Sequence, residues 1–170
     1  TISYKIIVFF LLKEWHIIMR PKPKIALYEP DIPQNTAAII RTCACFGAKL
    51  EIIEPCGFFL SDKRFKRVVM DYMDWDKIDL YQSSEEFFEK KKNQRIVLMT
   101  TKGSISYTKF KFNLEDTILF GRESTGVPES VHRLIKNRLK IPMNKNTRSL
   151  NIASSVSIVL AESLRQTKLI

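Results

Sequence analysis

Small polar residues cluster where an apolar run gives way to a helix near the end of the chain. The run Ile141–Met143 is followed by a polar loop and then by Arg148, Ser149, Leu150 and Asn151. Two earlier stretches, MTTKGS and FGRESTGVP, share this form, because polar and glycine residues directly follow an apolar strand. Ligands of open α/β sheets bind beyond the C-terminal ends of the strands, so the three stretches together predict one pocket.

Glycines and missing motifs narrow the chemistry of that pocket. Three of the five glycines, Gly103, Gly121 and Gly126, lie in the stretches MTTKGS and FGRESTGVP. Glycine lets a backbone approach a ligand closely, although each of these could equally be an ordinary turn residue. The sequence lacks G-x-G-x-x-G and G-x-x-x-x-G-K-[ST], which weighs against dinucleotide and nucleoside triphosphate sites. Ser149 has no credible Ser–His–Asp set, which weighs against a hydrolase.

The composition favours a polyanionic partner. The 170 residues include 28 Lys and Arg against 18 Asp and Glu, giving a formal net charge of +10. Such a surplus favours nucleic acid or an anionic membrane. Three cysteines and two histidines argue for a reducing compartment and against a disulfide scaffold or a metal site. A Cys56–His132 pair requires that the fold bring the two together.

Strands alternate with helices along the chain. The stretches KIALYE, AKLEIIE, RIVLMTT, DTILFG and RLKIPM predict strands, and RIVLMTT is typical of a strand buried on both faces. Helices are predicted between them, the first from about Pro33 to Gly47 and the next from Ser61 and Asp62. This alternation predicts an α/β fold with a mostly parallel sheet and helices on both faces.

One domain is predicted over residues 24–170, and residues 1–23 are predicted to lie outside it as an N-terminal extension. Its stretch IIVFFLL is far too short to span a membrane. Met19 stands just before the first strand, which is consistent with upstream sequence read from an early start. A weak membrane tether is the alternative interpretation.

A basic segment, Lys63–Arg67, predicts contacts to nucleic acid phosphates, unless it is simply a solvated helix face. Phe65, Tyr72 and Trp75 interleave with it and would either stack on bases or belong to the core. The residues that we select as RNA phosphate contacts are Lys63, Arg64, Arg67 and Arg148.

Taken together, these motifs resemble those of the SPOUT class of RNA methyltransferases, and within it the TrmL-like tRNA (cytidine/uridine-34-2'-O)-methyltransferases. The matching stretches are LYEPDIPQNT, IIR, IIEPCGF, DKRFKR with DY, TTKG, FGRESTGVP, and IPM followed by RSLNIA. FGRES with SLN is specific for the class, whereas YEPDIPQNT, EPCGF and TTKG are more specific to the subfamily. Two departures bear on fine substrate preference: Ala37 and Ala38 replace a common Gly-Asn pair, and Arg122 replaces a common proline.

The resemblance implies a SPOUT fold with a C-terminal trefoil knot, a cytoplasmic homodimer without a metal, and S-adenosylmethionine held in the knot mainly by backbone groups. The cofactor contacts that it implies are Met99, Gly121, Ile141, Ser149 and Leu150. The catalytic residues that it implies are Asn35, Arg41 and Glu123.

The implied reaction transfers a methyl group from S-adenosylmethionine to the ribose 2'-hydroxyl of C34 or U34 in the anticodon loop of tRNA-Leu. An unpaired loop displays its base edges, which suits recognition of one nucleotide. Arg41 is the family's candidate base, but an ordinary guanidinium stays protonated. We therefore assign it to phosphate binding and to stabilising the developing alkoxide, with either a phosphate oxygen or an unusually deprotonated Arg41 to accept the hydroxyl proton. The alternatives are a SPOUT enzyme acting on another tRNA or rRNA position, and a basic RNA-binding module without catalysis.

Overall fold

The computed structural model of the protein describes residues 21–69, 72 and 77–170. Its strands are β1 Lys24–Tyr28, β2 Leu50–Ile53, β3 Ile78–Tyr81, β4 Ile96–Met99, β5 Ile105–Ser106, β6 Thr117–Phe120 and β7 Asn137–Lys140. Its helices are α1 Pro33–Phe46, α2 Lys63–Val69, α3 Ser84–Lys90, α4 Glu129–Leu134 and α5 Ile152–Gln166, with a short 3-10 turn at Tyr107–Lys109.

The predicted extension, residues 1–23, falls almost entirely outside the described residues, as does Trp75. The boundary of the domain therefore stays a prediction. Within the described ranges, none of the helices has the length and apolar character that crossing a bilayer requires.

The strands of the described residues form one parallel sheet in the order β3-β2-β1-β6-β4-β7-β5. In this order β4 lies between β6 and β7, and Met99 at the end of β4 pairs with both Phe120 and Leu139. The C-terminal ends of these three strands are therefore adjacent. That adjacency brings the polar stretches after them to one edge of the sheet.

Helices cover both faces of the sheet, so the predicted α/β architecture is confirmed. On one face α1 packs against α2 and α5, and on the other face α3 and α4 supply Phe87 and Val131 to a second core. Successive side chains of a strand point to opposite faces. Val97 and Met99 accordingly enter the first core and Leu98 the second. This explains why RIVLMTT is apolar without alternation.

Helix ends follow their local sequence signals. Helix α1 begins at Pro33 and ends at Phe46, and Gly47, whose φ is +62°, is its C-cap. Asn151 caps α5, because its Oδ1 accepts from the backbone N–H groups of Ala153 at 2.8 Å and Ser154 at 3.3 Å. Ser83 caps α3 in the same way by accepting from Glu86 N at 3.2 Å.

The aromatic residues near the basic segment divide between core and surface. Phe65 is only 5 % exposed and belongs to the core around α1 and α5. Of the two alternatives for Phe65, base stacking is therefore wrong and burial is right. Tyr72 is half-buried against the same core.

Candidate active site

A pocket of about 480 Å³ opens at the C-terminal ends of β4, β6 and β7. Its walls come mainly from the three stretches that the sequence singled out, joined by Ile32, Asn35 and His132. The volume lies in the range of about 300–1,000 Å³ that is usual for small-molecule sites. The order of the sheet is what assembles it, since the three stretches are far apart in sequence.

The five residues selected as cofactor contacts all line this pocket: Met99, Gly121, Ile141, Ser149 and Leu150. Met99 is buried at the end of its strand, whereas Ser149 and Leu150 are exposed at the rim. Their geometry suits a shared ligand, and their role in holding a cofactor stays a prediction.

A chain of hydrogen bonds connects the pocket's polar side chains. The carboxylate of Glu123 accepts from Asn35 Nδ2 at 3.1 Å and from the backbone N–H of Asp31 at 2.9 Å. Asn35 Oδ1 in turn accepts from Asn151 Nδ2 at 2.9 Å. Asn151 also caps α5, so one network joins the start of α1, the loop after β6 and the start of α5.

Beside this network, Arg122 forms ion pairs with two carboxylates at the end of β1. It contacts Glu29 at 3.0 Å and Asp31 at 2.6 Å. Hydrogen bonds from Arg122 and Ser124 lower the pKa of Asp31 below its ordinary value, and the Asp31 partner raises the pKa of Arg122. Sequence reasoning did not select Asp31, and it treated Arg122 only as a departure from relatives.

The glycines of MTTKGS and FGRESTGVP allow neighbouring backbone segments to pack in close contact. A Cβ on Gly121 would lie 2.6 Å from the carbonyl carbon of Gly126, and one on Gly103 would lie 2.4 Å from that of Leu139. Arg122 and Gly126 also exchange two backbone hydrogen bonds, which close the loop after β6. These glycines therefore shape the walls of the pocket by tight loop packing.

Cysteine–histidine chemistry finds no support at this site. Burial, with a smaller contribution from the charge of Glu54, raises the pKa of Cys56 to about 12, so its thiol stays protonated at neutral pH. His132 lines the pocket, and burial lowers its pKa, so the imidazole is neutral there. In the part of the chain that the structure describes, no group of three or more potential metal ligands is arranged to hold an ion.

Arg41 lies apart from the pocket of its own chain. The described residues of the pocket lining do not include it. It is exposed on α1, where Nη2 donates to the hydroxyl of Tyr72 at 3.0 Å and the guanidinium lies 4.5 Å from the centre of that ring. The structure brings Asn35 and Glu123 together but not Arg41.

The four residues selected as phosphate contacts are all exposed. Lys63, Arg64 and Arg67 lie on α2, and Arg148 lies in the loop before α5. Arg64 pairs loosely with Asp62 at 3.5 Å and remains 92 % exposed. An exposed basic helix is compatible with either a phosphate-binding surface or a solvated face, so this assignment also stays a prediction.

Residues 22–161 match the SpoU rRNA Methylase family. Because this match spans most of the chain, the protein belongs to that family, a class of RNA methyltransferases. The fold agrees with it, since a solved structure of the SpoU methyltransferase AviRb from Streptomyces viridochromogenes covers 86 % of this chain with a TM-score of 0.77 at 21 % identity.

Relatives of similar length are more specific. A tRNA (cytidine(34)-2'-O)-methyltransferase from Beijerinckia indica is 46 % identical over 144 residues, which are 84 % of this chain and 90 % of the relative. One of the same name from Escherichia coli K12 is 38 % identical over 84 % of this chain and 92 % of its own. A solved structure described for 2-OH methylation of C/U34 on tRNA has a TM-score of 0.80 and 37 % identity over 86 % of this chain and 96 % of its own.

Proposed function

We propose that this protein is a tRNA methyltransferase that transfers a methyl group from S-adenosylmethionine to the ribose 2'-hydroxyl of nucleotide 34. The relatives that carry this activity in their names match most of the chain and most of their own length. The observation that carries the proposal is that Gly121, Ile141 and Ser149 meet in one pocket beside the Asn35–Glu123 pair. A catalytic site needs such a ligand pocket and polar groups held in fixed positions.

The pocket fits S-adenosylmethionine by size and lining. Met99, Phe120 and Ile141 supply apolar wall suited to a heteroaromatic base, and Ser149 adds a hydroxyl at the rim. The loops around Gly121 present backbone groups close to the cavity, in keeping with the main-chain recognition that the resemblance implies. When bound, the cofactor supplies a methyl group on a sulfonium centre.

The chain's own polar residues orient the acceptor side of the site. Both oxygens of Glu123 are engaged by donors, so its carboxylate is fixed in place and negative charge is held at the pocket wall. Asn35 accepts from Asn151, so its amide group is fixed as well. Positioning of this kind is the main source of acceleration when the methyl donor is already reactive.

We further propose a homodimer in which Arg41 of one protomer serves the pocket of its partner. Arg41 is exposed on α1 and does not line the pocket of its own chain, so an Arg41 acting at a pocket is proposed to come from a second copy. Ile32, next to the start of α1, and Ile158 on α5 are also exposed and supply apolar surface for such contact. There Arg41 would bind phosphate and stabilise the developing alkoxide.

The C-terminal trefoil knot belongs to the same proposal. It is supported by the position of β7, which is the last strand in sequence yet lies inside the sheet between β4 and β5. The following segment, residues 141–151, then returns to the pocket before α5 begins. An experimental structure traced from residue 96 to residue 170 tests the threading directly.

The substrate is proposed to be the anticodon loop of tRNA-Leu, in the cytoplasm, held by the phosphate contacts on α2 and by Arg148. The net charge of +10 supports a polyanionic substrate. The exposed side chains of Lys63 and Arg67 supply part of that charge on one helix.

Mass mapping of 2'-O-methyl groups tests the function. Unmodified tRNA-Leu transcripts are incubated with the protein and S-adenosylmethionine, and the expected product carries one new methyl group, on the ribose of nucleotide 34. Methylation elsewhere in tRNA or in rRNA would replace this substrate by another within the family. Absence of cofactor binding in calorimetry would instead identify a non-catalytic RNA-binding module.

A further inference from the structure

We propose that Arg122 is a positioning residue for this site. By bridging Glu29 and Asp31 it fixes the backbone N–H of Asp31, and through it the carboxylate of Glu123. This proposal deepens the proposed function and rests on it, because Glu123 has a catalytic role only if the protein is the proposed methyltransferase.

The guanidinium of Arg122 spans two acidic side chains at the end of β1. Nη1 donates to Glu29 Oε2 at 3.0 Å, while Nε and Nη2 donate to Asp31 Oδ1 at 3.1 and 2.6 Å. The arginine side chain is 31 % exposed and each carboxylate 18 % exposed. Charge-assisted hydrogen bonds in such partly dehydrated surroundings are stronger than exposed ion pairs.

Asp31 is held from a second side by the loop after β6. Its Oδ2 accepts from the backbone N–H of Ser124 at 3.2 Å and from the Ser124 hydroxyl. Arg122 and Ser124 flank Glu123 in sequence, so the loop grips Asp31 on both sides of the residue that Asp31 contacts. The backbone N–H of Asp31 then donates to Glu123 Oε2 at 2.9 Å.

The segment from Glu29 to Asp31 needs such outside contacts. Glu29 has a φ of +44°, a left-handed conformation that is uncommon and strained for residues other than glycine. Conformations of this kind persist only where the surroundings hold them. Arg122 binds the side chain of Glu29 itself and that of Asp31 two residues later. It therefore holds the strained segment at both ends.

Arg122 is poorly suited to binding an anionic ligand directly, although it lines the pocket. Three of its N–H groups already donate to carboxylates, and two negative side chains outweigh its single positive charge. The hydrogen bonds from Arg122 also keep the pKa of Asp31 low, so the pair stays charged at neutral pH. Its effect on catalysis therefore passes through Asp31 to Glu123.

Arg122→Met tests this, because methionine replaces the aliphatic stem of the arginine side chain and removes the guanidinium donors. We expect kcat for methyl transfer to fall by about 10- to 100-fold, as for other small displacements of a reacting group. KM for S-adenosylmethionine should change much less than kcat. Arg122→Lys keeps the charge and one contact, so it should recover part of the lost rate.

Arg95→Met is the matched control. Arg95 also forms a two-pronged pair with an aspartate, donating to Asp116 at 2.6 and 2.7 Å, and its side chain is 36 % exposed. It is absent from the described lining of the pocket. The control should lower the melting temperature without lowering kcat. An equal loss of kcat in both folded variants would reduce Arg122 to a structural role and overturn the proposal.

Amide hydrogen exchange, measured by NMR on the full chain, provides a readout that does not need activity. Exchange at Asp31 should accelerate by at least about tenfold in Arg122→Met and not in Arg95→Met. Unchanged exchange at Asp31 would overturn the proposal even if the enzyme were slower. If wild-type protein transferred no methyl group to RNA, the proposed function would be wrong. The exchange rate at Asp31 would still show whether Arg122 holds that backbone N–H group.

Asp31→Asn provides a second route if Arg122→Met does not fold. Asparagine keeps the shape but loses the charge, so this variant should reproduce the loss of kcat. Adding Arg122→Lys to Asp31→Asn should then lower kcat little further, because both changes weaken the same ion pair. Fully additive losses would contradict the proposal.

Discussion

At the residue scale, the pocket depends on side chains whose donors and acceptors are matched. Glu123 receives one N–H group on each of its two oxygens, from Asp31 and Asn35. A carboxylate used in this way cannot be replaced by its amide without a conflict, since the amide brings a donor to a place where a donor already points. Small chemical changes here therefore have specific consequences.

Glu123→Gln is the first such change. We expect a loss of kcat of at least about tenfold, with a stability cost of about 1–3 kcal/mol for the unsatisfied donor. Glu129→Gln is the matched control, because Glu129 is exposed on α4 and meets Lys102 only at 3.9 Å. Equal activity of the two variants in methyl transfer would remove Glu123 from the mechanism.

Glu162 gives a prediction of pH dependence. Hydrogen bonds from Arg165 and Gln166 lower the pKa of Glu162 to about 2 in the folded protein. An unfolded glutamate titrates near 4.3, so the stabilising contribution is complete above about pH 4.3 and is lost as the pH falls toward about 2. Urea unfolding should show Glu162→Gln less stable than wild type at pH 7 and equal to it near pH 2. A difference that stayed constant over this pH range would contradict the assignment.

At the scale of elements, capping side chains stabilise two helix N-termini, and one of these side chains also belongs to the pocket network. Asn151 caps α5 and also bonds to Asn35 in the pocket network, whereas Ser83 caps α3 away from it. A capping residue supplies an acceptor to backbone N–H groups that have no partner within the helix. A comparison of Asn151 with Ser83 therefore separates the effect of helix capping from the effect on the pocket network.

Asn151→Ala and Ser83→Ala form a matched pair. Each should lower the free energy of unfolding by about 1 kcal/mol, as the loss of a cap usually does. Only Asn151→Ala should weaken the binding of S-adenosylmethionine, because it also frees Asn35. Calorimetry and chemical unfolding measure the two effects. Equal cofactor affinities in both variants would disconnect the cap from the pocket.

The sheet and α3 are joined by a buried ion pair between Glu51 on β2 and Lys91. Their side chains are 1 % and 4 % exposed, and burial raises the pKa of Glu51 and lowers that of Lys91. Lys91→Met should cost about 3–5 kcal/mol, because it leaves the carboxylate buried and unpaired. Adding Glu51→Leu should restore most of that stability in urea unfolding. A double variant no more stable than Lys91→Met would show that packing, and not charge, causes the loss.

At the scale of the whole molecule, the homodimer that we propose would complete the site by adding Arg41 from the partner. The pocket, Asn35 and Glu123 belong to one chain, while Arg41 lies on its outer surface. In such an arrangement, two different inactive subunits can build one intact site between them.

Subunit mixing tests this arrangement. Arg41→Ala and Glu123→Gln should each have a strongly reduced kcat as homodimers, and co-refolding them should restore part of the methyl-transfer activity. Restoration occurs because one of the two sites in a mixed dimer receives a native Arg41 and a native Glu123. Mixed dimers that form but stay inactive would place both residues in the same chain's site.

The sequence alone determined the order of elements and the stretches that line the pocket. Apolar runs set β1, β4 and β6, Gly47 ended α1, and the polar stretches after the strands indicated a ligand pocket. These features are encoded locally, through burial patterns and backbone preferences. The strands β3 and β5 were missed. Strand β3 (IDLY) lies at the sheet edge, contains an aspartate and leaves its middle residues only partly covered, so it forms no apolar run; β5 has only two residues.

Only the tertiary structure decided which side chains meet. Asn35 bonds to Glu123 and Asn151, which lie 88 and 116 residues away in sequence. The tertiary structure also buries Phe65 and leaves Arg41 exposed. The physical reason is that such contacts depend on the order of strands in the sheet. That order is set by packing between segments that are far apart in sequence. The conformational preferences of single residues act only on their neighbours in the chain.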